Sequence, residues 1–170
     1  MEIRDAHPDE HDEIGRLMVE AYACLDGFPK PSEQPAYYAM LERIGKLVDP
    51  PATRLLAAID GGRVLGAVLY IEEMTRYGAG GVAAGETDAA AFRLLAVRPS
   101  ARGTGAGRAL AERCIALGRD RGRAEIVIHS TEAMRIARGL YDRLGFRRAP
   151  ELDFRQESLP VFGFRLRLRG

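Results

Sequence analysis

The sequence predicts an α/β fold, a central mixed sheet with helices on both faces, and three observations point to it. Apolar residues recur at helical spacing in some segments and alternate in others, giving the order β-α-α-β-β-β-α-β-α-β-β. Two β-rich runs meet at Asp60-Gly61-Gly62, a strong hairpin signal. A third apolar strand runs into a glycine cluster that opens a helix. With 170 residues the chain most naturally makes one domain, residues 1–170.

Residues Met1 to Asp5 make a first short strand. His7-Pro8-Asp9 supplies helix-start chemistry, with acidic residues in the first turn where the helix dipole favours them. Ile14, Leu17, Met18, Ala21, Tyr22 and Leu25 then follow at helical spacing. After a loop from Gly27 to Pro35, Tyr37, Leu41, Ile44 and Val48 mark a second helix, stopped by Asp49-Pro50-Pro51. Thr53 to Ile59 and Arg63 to Ile71 form the hairpin strands. Tyr77 to Ala84, rich in Gly and Ala, reads as a mobile loop with little to pack. Ala90 to Val97 is a strand, Leu110, Cys114 and Leu117 continue a helix to Gly122, and Glu125 to His129 is a strand. Ala133, Ala137, Leu140, Tyr141 and Leu144 form one helical stripe that Gly145 caps. Finally Val161 to Arg169 alternates, with Phe162, Phe164, Leu166 and Leu168 turned inward.

A hydrophobic fraction of 46% and a charged fraction of 29% fit an ordinary globular protein rather than a disordered one. No apolar run approaches the roughly 20 residues that span a bilayer, and the N-terminus has no signal-peptide pattern. Two cysteines, Cys24 and Cys114, show no metal-site spacing, so no metal is expected. The expected compartment is the cytoplasm.

The net charge of +1 hides an asymmetry. Residues 1–92 carry 16 acidic and 8 basic side chains, whereas residues 93–148 carry 5 acidic side chains and 13 arginines. Such a block suggests a polyanionic ligand, and Arg suits phosphates. Part of the effect is compositional, because Arg replaces Lys nearly throughout. Nucleic acid ranks below a phosphorylated cofactor: no aromatics are interleaved with the arginines, and no helix-turn-helix or zinc-finger spacing occurs.

The glycine cluster lies in Leu95-Ala96-Val97-Arg98-Pro99-Ser100-Ala101-Arg102-Gly103-Thr104-Gly105-Ala106-Gly107-Arg108. Glycine N–H groups and the free N–H groups of a helix start make a site for phosphate oxygens, here flanked by Arg102 and Arg108. A Walker loop is excluded, because no glycine is followed by Lys and then Ser or Thr. The dinucleotide fingerprint fails from Gly103 at Arg108 and from Gly105 at Leu110. What remains is Arg-x-x-Gly-x-Gly, at Arg102, Gly105 and Gly107.

This segment, together with Tyr141-Asp142-Arg143-Leu144-Gly145-Phe146, resembles the GNAT superfamily of N-acetyltransferases. The resemblance spans essentially the whole chain and is strongest from Phe92 to Phe146. It implies a mostly antiparallel sheet splayed between the fourth and fifth strands, and acetyl-CoA as co-substrate. Backbone groups of Leu95, Ala96 and Val97 would bond the pantetheine arm. The N–H groups of Gly103, Thr104, Gly105, Ala106, Gly107 and Arg108, with Arg102 beside them, would hold the pyrophosphate. The implied reaction is direct attack by a primary amine in a ternary complex. The partner is then a small-molecule or peptide amine, not nucleic acid or membrane, and a homodimer is compatible.

The resemblance makes Tyr141 the acid for the departing thiolate; on the residues alone it is equally a core tyrosine of an apolar stripe. The family's base position in the fourth strand is Ala91 here. A second base position, twelve residues before the tyrosine, is His129, which is either the base or a hydrogen-bonded structural histidine, ordered water then sufficing. Met134 replaces an Asn that contacts the cofactor in many members. Glu72, Glu73, Glu86 and Asp88 would lie toward the acceptor and could hold a cationic amine, although a solvated acidic loop is the simpler account of any one of them. Two rival readings stay open: an acetyl-CoA-binding sensor without turnover, and a nucleic-acid-binding module.

Overall fold

The computed structural model describes residues 1–169. Strand β1 (Glu2–Asp5) leads through a single-turn 3-10 segment into α1 (His11–Ala23) and α2 (Pro35–Glu42). Strands β2 (Thr53–Asp60), β3 (Arg63–Ile71) and β4 (Ala89–Val97) follow, then α3 (Ala106–Asp120), β5 (Glu125–Ser130) and α4 (Arg135–Leu144). Three strands close the chain: β6 (Arg147–Arg148), β7 (Phe154–Gln156) and β8 (Leu159–Arg167). The sheet order is β1-β2-β3-β4-β5-β8-β6, with β7 on β8, and every pairing is antiparallel except β4 with β5. The mixed sheet agrees with the sequence, which lacked only one of the very short terminal strands.

Strand alternation divides the core between the two faces. Leu55, Ala57, Leu69, Ile71 and Ala91 pack with Ile14, Leu17 and Met18 of α1 and Leu41 of α2. Leu56, Val68, Tyr70, Phe92 and Ile126 pack on the other side with Leu110 and Cys114 of α3 and Leu140 of α4. The second helix ends at Glu42, earlier than its periodicity suggests, and a 3-10 turn over Ile44–Leu47 carries the buried Ile44 instead.

The sheet is divided between β4 and β5. Every residue of β5 pairs with β8, and β4 pairs with β3 as far as Val97. Between β4 and β5 themselves only Ala89, Ala90 and Ala91 pair, with Glu125, Ile126 and Val127. Beyond Ala91 the two parallel strands separate toward their C-terminal ends. A bulge accompanies the separation: Leu69 pairs Arg93 while Ala67 pairs Ala96, and Leu94 has φ 59°. Gly66 permits the close approach there, because a Cβ would lie 2.6 Å from the Ala96 carbonyl oxygen.

Residues 77–84 depart from their expected looseness. Tyr77 and Ala83 are buried in the core of the α1/α2 face, so the segment is packed in place at these two positions although Val82 is exposed.

Candidate active site

The glycine turn stands at the open end of the divided sheet, between β4 and α3. Gly103 and Gly105 adopt φ 82° and 87°, left-handed values that an L side chain rarely takes, and Gly105 is the N-cap of α3. Gly107 is different. Its φ is not in that region, and a Cβ would meet only the Val97 Cγ2 atom, at 3.4 Å. The fold itself therefore does not require glycine at 107; open space beyond it suits a group that approaches the backbone closely. A phosphate-bearing ligand fits such a cradle.

Not all six expected N–H groups are free. Thr104 N–H donates to the Ala101 carbonyl at 3.3 Å, and its hydroxyl donates to the same oxygen at 2.7 Å. Ala106 N–H reaches the Thr104 hydroxyl at 3.4 Å. Among the described residues, the N–H groups of Gly103, Gly105, Gly107 and Arg108 meet no protein acceptor. These four form the anion nest, with the exposed Arg102 beside it. Arg108 pairs along the helix with Glu112 at 2.8 Å, an exposed pair that adds little. Past the bulge, the edge of Leu95, Ala96 and Val97 that faces β5 has no strand partner.

Tyr141 comes from α4 and is buried against Phe92 and Phe146, with ring centroids 5.8 and 5.7 Å away. Burial pushes its phenol well above the usual tyrosine value, so it stays protonated. Its hydroxyl bonds no described residue and is not sealed from solvent, whereas the Thr131 hydroxyl is both sealed and unpartnered. Thr131 lies in the turn between β5 and α4, at the same open end of the sheet.

His129 lies on the opposite face from Tyr141, in line with Val127. Its Nε2 is 2.8 Å from the Leu152 carbonyl, which can only accept, so that nitrogen carries the proton. Nδ1 then accepts from the Tyr77 hydroxyl at 2.7 Å. Burial lowers the histidine below its ordinary value, opposed by the Leu152 bond, so the ring is neutral at pH 7. The structure thus separates Tyr141 and His129 across the sheet and adds Tyr77 to His129. Periodicity had no means to find this, since Tyr77 comes from an irregular segment 52 residues away.

Of the four acidic residues expected toward the acceptor, three are tied to arginines elsewhere. Glu72 bonds Arg123 at 2.7 Å and the Tyr70 hydroxyl at 2.6 Å, Glu86 bonds Arg165 at 2.8 Å, and Asp88 bonds Arg169. They precede the paired starts of β4 and β5, the closed end of the gap. On the α1/α2 face, a cavity of about 460 Å³ lies between residues 27–34 and the β7–β8 turn, and Gln156 bonds Gln34 across it at 2.6 Å. Among the described residues, no cluster of three or more His, Cys, Asp or Glu is arranged to hold a metal, and no helix is long and apolar enough to cross a membrane.

Comparison with known proteins agrees with this geometry. The family model "Acetyltransferase (GNAT) family" matches residues 14–146. A GNAT-family acetyltransferase of Staphylococcus aureus Mu50 superposes with a TM-score of 0.74 at 15% identity, covering 99% of each chain. A GNAT protein of Kribbella flavida gives 0.70 at 24% identity, over 98% of this chain and 97% of the other. The protein yncA of Salmonella typhimurium, solved with its cofactor acetyl-CoA, gives 0.67 at 19% identity, over 100% and 95%. No curated protein matches the chain in sequence.

Proposed function

The chain belongs to the acetyltransferase (GNAT) family, and from that premise we propose that it transfers an acetyl group from acetyl-CoA to a primary amine by direct attack in a ternary complex. The observation that carries the reading is the nest of four unpartnered N–H groups at the open end of a sheet divided between β4 and β5. In this reading Gly103, Gly105, Gly107 and Arg108 hold the pyrophosphate through their N–H groups, and Arg102 adds charge. The free backbone edge of Leu95, Ala96 and Val97 orients the pantetheine arm. When bound, the co-substrate supplies an activated thioester. Tyr141, held protonated by burial, donates its proton to the departing sulfur.

For the amine we propose a path through Tyr77. Its hydroxyl takes the ammonium proton while passing its own to His129 Nδ1, along the 2.7 Å bond. A second reading rests on the same bonds: with both ring nitrogens engaged, His129 only fixes Tyr77, and the amine arrives neutral. We further take the protein to act as one cytoplasmic acetyltransferase domain, without metal. The test of the cofactor site is Gly107→Val. Because the fold tolerates a Cβ there, the variant should melt like the parent yet lose calorimetric CoA binding. Unchanged CoA affinity overturns the assigned site.

A further inference from the structure

Resting on the reading that an amine is acetylated in the gap between β4 and β5, we propose that Arg93 binds a carboxylate of the acceptor, so that the acceptor class is a free amino acid. The last paired residues across the gap are Ala91 and Val127. One step further on the same face stand Arg93 on β4 and His129 on β5, one on each lip. Strand alternation from Ala91 puts Arg93 there, since it pairs with Leu69 in the same register, and the bulge that follows turns Leu94 to the same α1/α2 face. Tyr77 links the two lips. Its carbonyl accepts from Arg93 Nη1 at 3.0 Å, and its hydroxyl donates to His129 at 2.7 Å.

That one bond leaves the Nε/Nη2 edge of the guanidinium without a protein partner. This edge presents two parallel donors, the geometry that a carboxylate accepts. Arg93 is half-buried, and a charge in that position needs compensation. Among the described residues, five other half-buried arginines have it, Arg4 with Glu10, Arg54 with Asp5, Arg98 with Glu13, Arg123 with Glu72 and Arg165 with Glu86, whereas Arg138 lies over the Phe162 and Phe164 rings and Arg113, like Arg93, has no ion pair. Arg93 has no carboxylate within ion-pair distance among the described residues. Its surroundings are aromatic. Burial raises the phenols of Tyr22 and Tyr37, and the Arg93 charge opposes that rise in both, so these rings lie within reach of its field.

An amino acid would place its carboxylate on Arg93 and its amine in the gap. The nitrogen then bonds the acetyl carbon as the carbon–sulfur bond breaks. The products are the N-acetyl amino acid, the CoA thiol and one proton released from the ammonium. A peptide N-terminus differs in one decisive respect, since its nearest carbonyl is an uncharged amide.

The experiment measures CoA thiol release with the common L-amino acids, each against its α-carboxamide. The acids should exceed the amides by about 10²-fold in kcat/KM, since a site built around a charged partner strongly rejects analogues that lack it. Arg93→Gln should erase that preference, and Arg93→Lys should restore only part of it, because the ammonium lacks the fork. CoA affinity serves as the folding control for both variants. Equal rates for acids and amides in the parent overturn the proposal while leaving the acetyltransferase reading intact. If no amine of either kind releases CoA, that reading falls instead. Calorimetry of the same amino acids on the CoA-loaded protein then decides: binding lost in Arg93→Gln supports the site, and absence of binding overturns it.

Discussion

Tyr141 packs in the core and, in the proposed reaction, also serves as the acid. Its ring closes an aromatic group with Phe92 and Phe146, which accounts for its place on an apolar helical stripe. Its hydroxyl, unbonded and not sealed from solvent, is surplus to that packing. Tyr141→Phe should therefore keep the melting temperature and the KM for acetyl-CoA while lowering kcat by about 10²-fold, the usual range for a positioned acid. A fully active variant would leave only the packing role. On the other face the decisive residue is His129. Because burial lowers its folded value, the neutral ring persists to a pH below the usual 6.5 or so. If Tyr77 and His129 carry the proton, kcat/KM should rise with pH through that lowered ionisation, and His129→Ala and Tyr77→Phe should both remove the limb. The sign for stability is the same. The unfolded chain takes up a proton below about pH 6.5 before the folded one does, so stability present above that pH is lost on acidification.

At the scale of elements, the bulge of β4 ties sequence to site. It follows directly on Arg93, just past the last pair across the seam, Ala91 with Val127, and precedes the free edge of residues 95–97. Gly66 on β3 is its counterpart, with the Ala96 carbonyl oxygen 2.6 Å and the Val97 Cα 3.2 Å from where a Cβ would stand. Both obstacles are backbone, so neither yields cheaply. Gly66→Ala should destabilise the fold by about 1–3 kcal/mol, read from a denaturant midpoint, and should weaken CoA binding as well. A stability loss with unchanged CoA affinity would detach the bulge from the site. The surroundings of that bulge mark the limit of sequence reading. The glycine turn, Tyr141 and the helix around it are local patterns, and they were legible. Arg93 reads as one more arginine in a basic block, because its meaning depends on Tyr77 and on His129 across the gap, which are distant in sequence. Tyr77 reads as part of a loose loop, because the partners that hold it, Arg93 and His129, belong to β4 and β5. The arginine partners of Glu72, Glu86 and Asp88, at 123, 165 and 169, lay beyond sequence reading for the related reason that they are distant along the chain.

For the whole molecule, two half-sheets meet at only three residue pairs across the β4–β5 seam. Each half has its own continuous pairing, β1 through β4 and β5 through β8, and helices cover both faces. A ligand lying along the free edge of β4 and anchored in the nest of α3 would join the halves where the strands do not. Binding to the folded state alone stabilises by about 2.7 kcal/mol at a hundredfold excess over Kd. In a protein of this size that corresponds to a rise in Tm of roughly 5–10 °C. We expect acetyl-CoA and CoA to produce such a rise. We also expect amide exchange to slow selectively at residues 95–97, 103–108 and 128–130, on the two sides of the opening. A comparable rise with protection confined to the outer strands β1 and β2 would instead place the ligand away from the gap. It would then remove the physical basis for joining Arg93, His129 and Tyr141 into one site.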